Sequence, residues 1–126
     1  MNALFFLSPI HNAHEKGIQF TNHSDEIVTP INPMLGVHSA VNRVARSEAV
    51  IGKDERVSPY VALKGVTEHA AYMLFQEDTK GTLSVGKRAD MIVLDQNPLE
   101  LSPEILKDIQ VLETIKDGRT VYRRAE

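Results

Sequence analysis

The sequence predicts an α/β chain, and three observations carry that prediction. A run of mixed apolar, β-branched and polar residues opens at Ile18. Apolar residues then recur at spacings of three and four between about residues 33 and 76, and beyond residue 82 they alternate with polar ones. Spacings of three and four mark one face of a helix, and alternation marks a strand. The predicted order is strand, helix, helix, then a β-rich tail.

His11-Asn12-Ala13-His14-Glu15-Lys16 is polar and stops at Gly17, as a short helix closed by glycine does. Residues 18–25 read as one strand. Alternation places Thr21, His23 and Asp25 on one face, and Ile18, Phe20 and Asn22 on the other. Pro30 and Pro33 mark an ordered loop. Met34, Val37, Val41, Val44 and Ala45 predict an amphipathic helix over 33–47, with Arg43 and Arg46 beside its stripe. Residues 48–57 are polar and read as loop. Ser58-Pro59 opens a second helix, predicted over 58–76. Serine caps free N–H groups and proline suits the first helical position. Leu63, Val66, Ala70, Met73 and Leu74 give its stripe. Gly65 costs this helix about 1 kcal/mol relative to alanine and allows close packing. Gly81 ends it. The composition changes there, which divides the chain into 1–80 and 81–126.

In the second part Leu83 and Val85 alternate with polar residues, and Gly86-Lys87 reads as a turn. Met91-Ile92-Val93-Leu94-Asp95 is apolar enough to be a strand buried on both faces. Ser102-Pro103-Glu104 opens one helical turn. Asp117-Gly118, between 110–116 and 119–123, signals a tight hairpin.

Composition narrows the function classes. The chain has 126 residues, and its charge is 14 − 17 = −3. This excludes a basic nucleic-acid binder, which needs a surplus of cations. A complete barrel of alternating strands and helices needs roughly 200 residues and cannot fit. There is no cysteine, so thiolate chemistry, disulfides and cysteine zinc sites are excluded. The longest apolar run, Leu4-Phe5-Phe6-Leu7, is too short to cross a bilayer and lacks the flanks of a secretion signal. The expectation is a cytoplasmic protein with no membrane partner.

Asp25 is the most informative residue. It ends the predicted strand and precedes a loop, and in parallel α/β barrels that position opens onto the active face. A carboxylate there can ligate a metal or accept a proton, although the same residue can simply cap a turn. His23 shares its face and could orient Asp25 or approach a metal from behind the ligands; the plainer reading is a hydrogen-bonded histidine at the rim. His11 and His14 lie one helical turn apart without a third ligand, which reads as a solvated helix face. His38 and His69 read as structural. Ser24 between His23 and Asp25 is no triad, because adjacent strand residues face opposite ways.

These residues carry a resemblance. Phe20-Thr21-Asn22-His23-Ser24-Asp25, followed by Pro30-Ile31-Asn32-Pro33, resembles the last barrel strand of metal-dependent amidohydrolases, closest to the YtcJ-like branch that includes the N-substituted formamide deformylases. Ala62-Leu63-Lys64-Gly65-Val66-Thr67-Glu68-His69-Ala70-Ala71 resembles that superfamily's helix near the end of the barrel. The stretch from Gly81 to Asp95 is similar to its return into a small β-sandwich, and Asp117–Tyr122 to its closing hairpin. The resemblance spans about residues 8–123, and its specificity lies in the ordered combination.

The resemblance implies the C-terminal piece of a (β/α)₈ TIM barrel, its last strand and following helices, plus part of a small β-sandwich. It implies hydrolysis of non-peptide C–N bonds of small amide-type substrates with a divalent metal, expected to be zinc, in the full-length family. Asp25 matches the aspartate that ligates the metal and shuttles the proton of metal-bound water. The first-strand His-x-His pair, the bridging ligand and the histidines of the middle strands have no counterpart here. One carboxylate does not hold a catalytic zinc, which takes three protein ligands. The expectation is therefore no bound metal and no activity for the chain alone. The alternatives are half of a split enzyme needing an N-terminal barrel partner, or a non-catalytic interaction module. Unpaired edges and exposed apolar faces predict a marginal fold or a homo-oligomer.

Overall fold

A computed structural model describes residues 7–125. The apolar run that begins at Leu4 lies, up to Phe6, outside the described residues. Four short helices precede a three-stranded sheet: α1 (Ile10–Glu15), α2 (Pro33–Asn42), α3 (Pro59–Val66), α4 (Glu68–Met73), β1 (Met91–Leu94), β2 (Val111–Lys116) and β3 (Arg119–Arg123). Among the described residues, two 3-10 helices, Lys53–Glu55 and Pro103–Asp108, fill the connections. No helix among the described residues is long and apolar enough to cross a membrane.

The core is built around α2. Its stripe of Met34, Val37, Ala40 and Val41 is buried against Val61 and Ala62 of α3, and against Leu106 and Ile109 from the β1–β2 connection. Val37 and Leu106 are the largest side chains with no exposed surface. Burying two such side chains contributes about 1.5–3 kcal/mol each. Asn42 fixes this packing. Its side-chain Nδ2 donates to the Pro103 carbonyl at 2.7 Å and to the His38 carbonyl at 3.0 Å, tying the end of α2 to the second 3-10 helix.

Both long helices have the starts that their sequences predict. Asn32 accepts from the Met34 N–H at 3.0 Å, and Ser58 from the Val61 N–H at 3.3 Å, each followed by proline. Their ends differ from expectation. The helix expected over 33–47 stops at Asn42, because Arg43 takes a left-handed conformation (φ 57°). There its guanidinium donates to carbonyls of Ile51, Ser8 and Leu7, and Val44 pairs with Val50 instead of continuing the helix. The helix expected over 58–76 is two helices broken at Thr67 (φ −128°, ψ −90°). The Thr67 hydroxyl donates to the Leu63 carbonyl at 2.8 Å, a bond that competes with the helical ladder.

The strand expected over 18–25 is not formed. A strand exists only by pairing, and no described strand lies beside this segment. Within it, the Asn22 N–H donates to the Gly65 carbonyl of α3 at 3.2 Å, a contact with a helix and not with a ladder. The sheet has the order β1-β2-β3, antiparallel throughout. Its hairpin turns at Asp117-Gly118, both with positive φ (48° and 74°), as the two-residue turn requires. The Asp90 carboxylate accepts the Asp117 N–H at 2.8 Å, and this bond, aided by Lys116 and Arg88, holds the Asp90 carboxyl below its ordinary pKa. β1 is not buried on both faces. Met91, Ile92 and Val93 are 37%, 51% and 42% exposed, because no described second layer covers the single sheet. Leu83 and Val85 lie in an exposed turn region, not in a strand.

Glu55 is buried at 4% exposure and faces the start of α1. Its carboxylate accepts the backbone N–H of Asn12 at 3.0 Å and the Asn12 side-chain amide. Burial raises the pKa of this carboxyl. The hydrogen bonds from Asn12, joined by the His11 backbone and charge, together outweigh that and hold it below the ordinary carboxylate value. A depressed folded pKa gives stability that is present above the unfolded value and lost as pH falls through the folded one. Glu55→Ala is therefore expected to destabilise the chain by about 1–2 kcal/mol at pH 7, and less at pH 3, as read by urea unfolding at both pH values.

Gly81 has φ +93°, and a Cβ there would lie 2.6 Å from the Ala71 Cβ. Gly81→Ala is expected to cost about 1–3 kcal/mol through overpacking and backbone strain, read as a lower thermal midpoint.

Candidate functional site

The predicted site residues lie on the segment between α1 and α2, and α3 and α4 set its position. Gly65 lets this segment approach. A Cβ at Gly65 would lie 3.0 Å from Phe20 Cε2 and 3.6 Å from Asn22 Nδ2. The Phe20 ring meets His69 edge to face, with centroids 5.5 Å apart. His69, 7% exposed, holds the Phe20 carbonyl through Nδ1 at 3.1 Å. Phe20 and Asn22 thus face the helices, while His23 and Asp25 are exposed. Alternation predicts this division for these four residues only: Ile18, expected beside Phe20, is 58% exposed, and Thr21, expected beside His23, turns its hydroxyl to the Met73 sulfur of α4 at 3.4 Å, because no ladder holds the alternation.

Asp25 has φ +49°, a conformation that aspartate tolerates better than most residues. Its carbonyl accepts the N–H of Val28 at 3.0 Å and of Thr29 at 3.3 Å, and the Thr29 hydroxyl donates to the Ser24 carbonyl. The turn is closed by these groups. The Asp25 carboxylate has no hydrogen-bond or ion-pair partner among the described residues, so it does not act as the turn's cap. His23 is likewise unpartnered among them. Both line an open trough of about 1020 Å³ between this segment and α2, with Asn22, Pro30, Gly36 and Arg43 also on its wall.

The donor set does not fit a metal by itself. No group of three or more His, Asp or Glu side chains converges among the described residues. His11 and His14 sit on α1, and His38 meets Asn42 through Nδ1 at 3.0 Å, away from Asp25's turn. Sequence reasoning passed over Asn22. Its buried Nδ2 has no partner among the described residues and lies beside Gly65, while its Cβ lies beside Gly36. The two glycines were the available signal, since each removes a Cβ on a helix face that something must then approach.

With this geometry in view, the class is plain: an α/β chain whose exposed acid lies beside packed helices. The sequence pattern described as the amidohydrolase family matches residues 2–122, and the chain belongs to that family. It is 31% identical over 113 residues to the Bacillus subtilis protein YtcJ, named as an amidohydrolase, covering 87% of this chain and 21% of that protein. It is 30% identical over 118 residues to the N-substituted formamide deformylase of Arthrobacter pascens, covering 94% and 22%. Its fold is similar to that of an amidohydrolase from Thermotoga maritima, with a TM-score of 0.68 at 22% identity over 91% of this chain and 26% of that one. The chain spans about a fifth of the length of these curated relatives.

Asp25→Asn is expected to leave the stability of the chain within about 0.5 kcal/mol of the parent, because its exposed carboxylate has no hydrogen-bond or ion-pair partner among the described residues. Urea midpoints of the two proteins check this.

Proposed function

We propose that this chain is the C-terminal portion of a metal-dependent amidohydrolase that cleaves C–N bonds in small amide-type substrates, and that it is inactive alone. Residues 1–80 would form the end of the barrel and residues 81–126 a segment of the β-sandwich. The observation that carries the reading is Asp25: an exposed, unpartnered carboxylate at the mouth of an open trough, held in place by Phe20 and Gly65 behind it. A carboxylate without structural partners is free to take a proton from an attacking water and return it to a leaving amine. His23, on the same exposed side, would orient it. The match to the deformylase over 94% of this chain supports an amide-type substrate.

The described residues bring together no three side chains for a divalent ion, zinc by the resemblance, so ligands beyond Asp25 would come from other barrel strands. That requirement supports inactivity of the isolated chain, and it also supports the alternative of a split enzyme whose N-terminal part is separate.

A chimera tests the reading. The segment of the Arthrobacter deformylase that matches this chain is replaced by it. The chimera is expected to hydrolyse an N-substituted formamide, and Asp25→Asn within it to lower kcat about 10²–10⁴-fold, while the 126-residue chain alone shows no turnover. Undiminished activity of the Asp25→Asn chimera, or turnover by the isolated chain, would overturn the proposal.

A further inference from the structure

We propose that His38 is a pH-sensitive switch: its neutral imidazole secures the tie that Asn42 makes between α2 and the Pro103–Asp108 helix, and protonation breaks that tie and passes the ring to Glu104. This cluster lies away from the turn of Asp25, and its behaviour does not depend on the activity of that site. Asn42 is 9% exposed, and its side-chain Nδ2 has three acceptors in reach: the Pro103 carbonyl at 2.7 Å, the His38 carbonyl at 3.0 Å and His38 Nδ1 at 3.0 Å. A primary amide carries two N–H groups. One goes to Pro103, and the other is shared between the two acceptors of His38. The two carbonyls fix the orientation of the amide, because the reverse orientation would set its oxygen against both of them. Nδ1 must then offer a lone pair, which puts the ring proton on Nε2.

A proton taken from solvent onto Nδ1 removes that lone pair, and two donors then face each other 3.0 Å apart beside a buried amide. Turning the amide relieves this contact only by setting its oxygen against the Pro103 carbonyl, so the tie is lost either way. A second partner for the charged ring is in place. Glu104, exposed on the 3-10 helix, feels the charges of both His38 and Arg56. The Ser102 hydroxyl, then its own backbone N–H, then those two charges hold its carboxyl below the ordinary value, so it stays ionised across the range of about pH 5–8 where an imidazole titrates. An exposed ion pair stabilises little, so the exchange of partners loosens the connection. The stabilisation belongs to the neutral ring: it is full at pH 8 and lost as the pH falls toward 5. Arg56, the other cation beside Glu104, donates through Nε to the Asn42 carbonyl at 3.0 Å. Further charges on the elements packed against α2 are engaged elsewhere, Lys107 with Asp108 at 3.3 Å and Lys64 with Glu68 at 3.1 Å. The tie matters beyond its ends, because the same 3-10 helix brings Leu106 into the core and leads to β2.

A pH titration of the full 126-residue chain, followed by NMR, tests the switch. The Asn42 side-chain N–H resonances are expected to move with the same midpoint as the His38 ring. Protection of the amides of residues 104–112 against hydrogen exchange, relative to those of α3, is expected to fall about threefold or more from pH 8 to pH 5.5. His38→Gln keeps an acceptor that does not titrate, and both effects are expected to vanish in it, with protection at pH 5.5 equal to that at pH 8. Glu104→Gln removes the second partner, and the midpoint is expected to move to lower pH. An Asn42 amide that stays still while the His38 ring titrates overturns the switch. So does an equal fall in protection in His38→Gln, which would assign the pH dependence to another group. An unmoved midpoint in Glu104→Gln overturns the exchange of partners. The resonances of the parent chain read the switch without any variant, so a poorly folded His38→Gln does not decide the outcome.

Discussion

The close approach of residues 20–22 to α3 is the contact on which the placement of Asp25 depends. It needs a residue without a side chain at position 65, because any Cβ there would press on Phe20. A glycine inside a helix is unfavourable by about 1 kcal/mol, and here that cost is offset by what it admits: an aromatic ring, a backbone hydrogen bond from Asn22 and the His69 contact. Helices α3 and α4 therefore act as a wall on which an unpaired segment is hung. Asp25 projects from the far end of that segment, where its backbone carbonyl and the Thr29 hydroxyl on Ser24 close the turn.

The rest of the fold supports the wall. α2 packs on α3 on one side and on the second 3-10 helix on the other, with Val37 and Leu106 at the centre. The connection that carries Leu106 also joins β1 to β2, so the sheet is anchored through its loop and through Leu94 at the end of β1. That explains how a well-formed hairpin coexists with a half-buried β2 and a β3 exposed along its whole length. Hydrogen bonds within the ladder and the Asp90 contact to the turn give it order, while its apolar side chains add little burial.

Much of this was legible in the sequence wherever structure is local. The Ser58-Pro59 start, Gly17 after α1, and the Asp117-Gly118 turn each follow from backbone chemistry at one or two residues. Gly65 was legible as a place of close packing. What escaped was set by distant groups. Val44 and Ala45 continue the helical spacing of α2, but Arg43 leaves the helix to bind carbonyls of Leu7, Ser8 and Ile51. Glu55 reads as one charge in a polar loop, and its partner Asn12 lies 43 residues away. The strand at 18–25 escaped for a different reason. Its composition is that of a strand, but a ladder needs a neighbour, and composition does not supply one. Of the candidate site, the exposure of Asp25 was legible from its place at the end of a run of mixed apolar and polar residues, while the buried amide of Asn22 was not.

The disagreement between pattern and burial is itself informative. Isolated apolar side chains on a surface need no explanation, but contiguous ones do. Ile27 and Val28 are adjacent in the chain, Ile31 lies three residues on, and they follow a segment in which only the N–H groups of Ile18 and Asn22 donate to described carbonyls. Surface area and hydrogen bonding are separate accounts with separate physical origins, one the hydration of hydrocarbon and the other the polarity of the peptide. Both single out residues 18–31, and Asp25 lies between them.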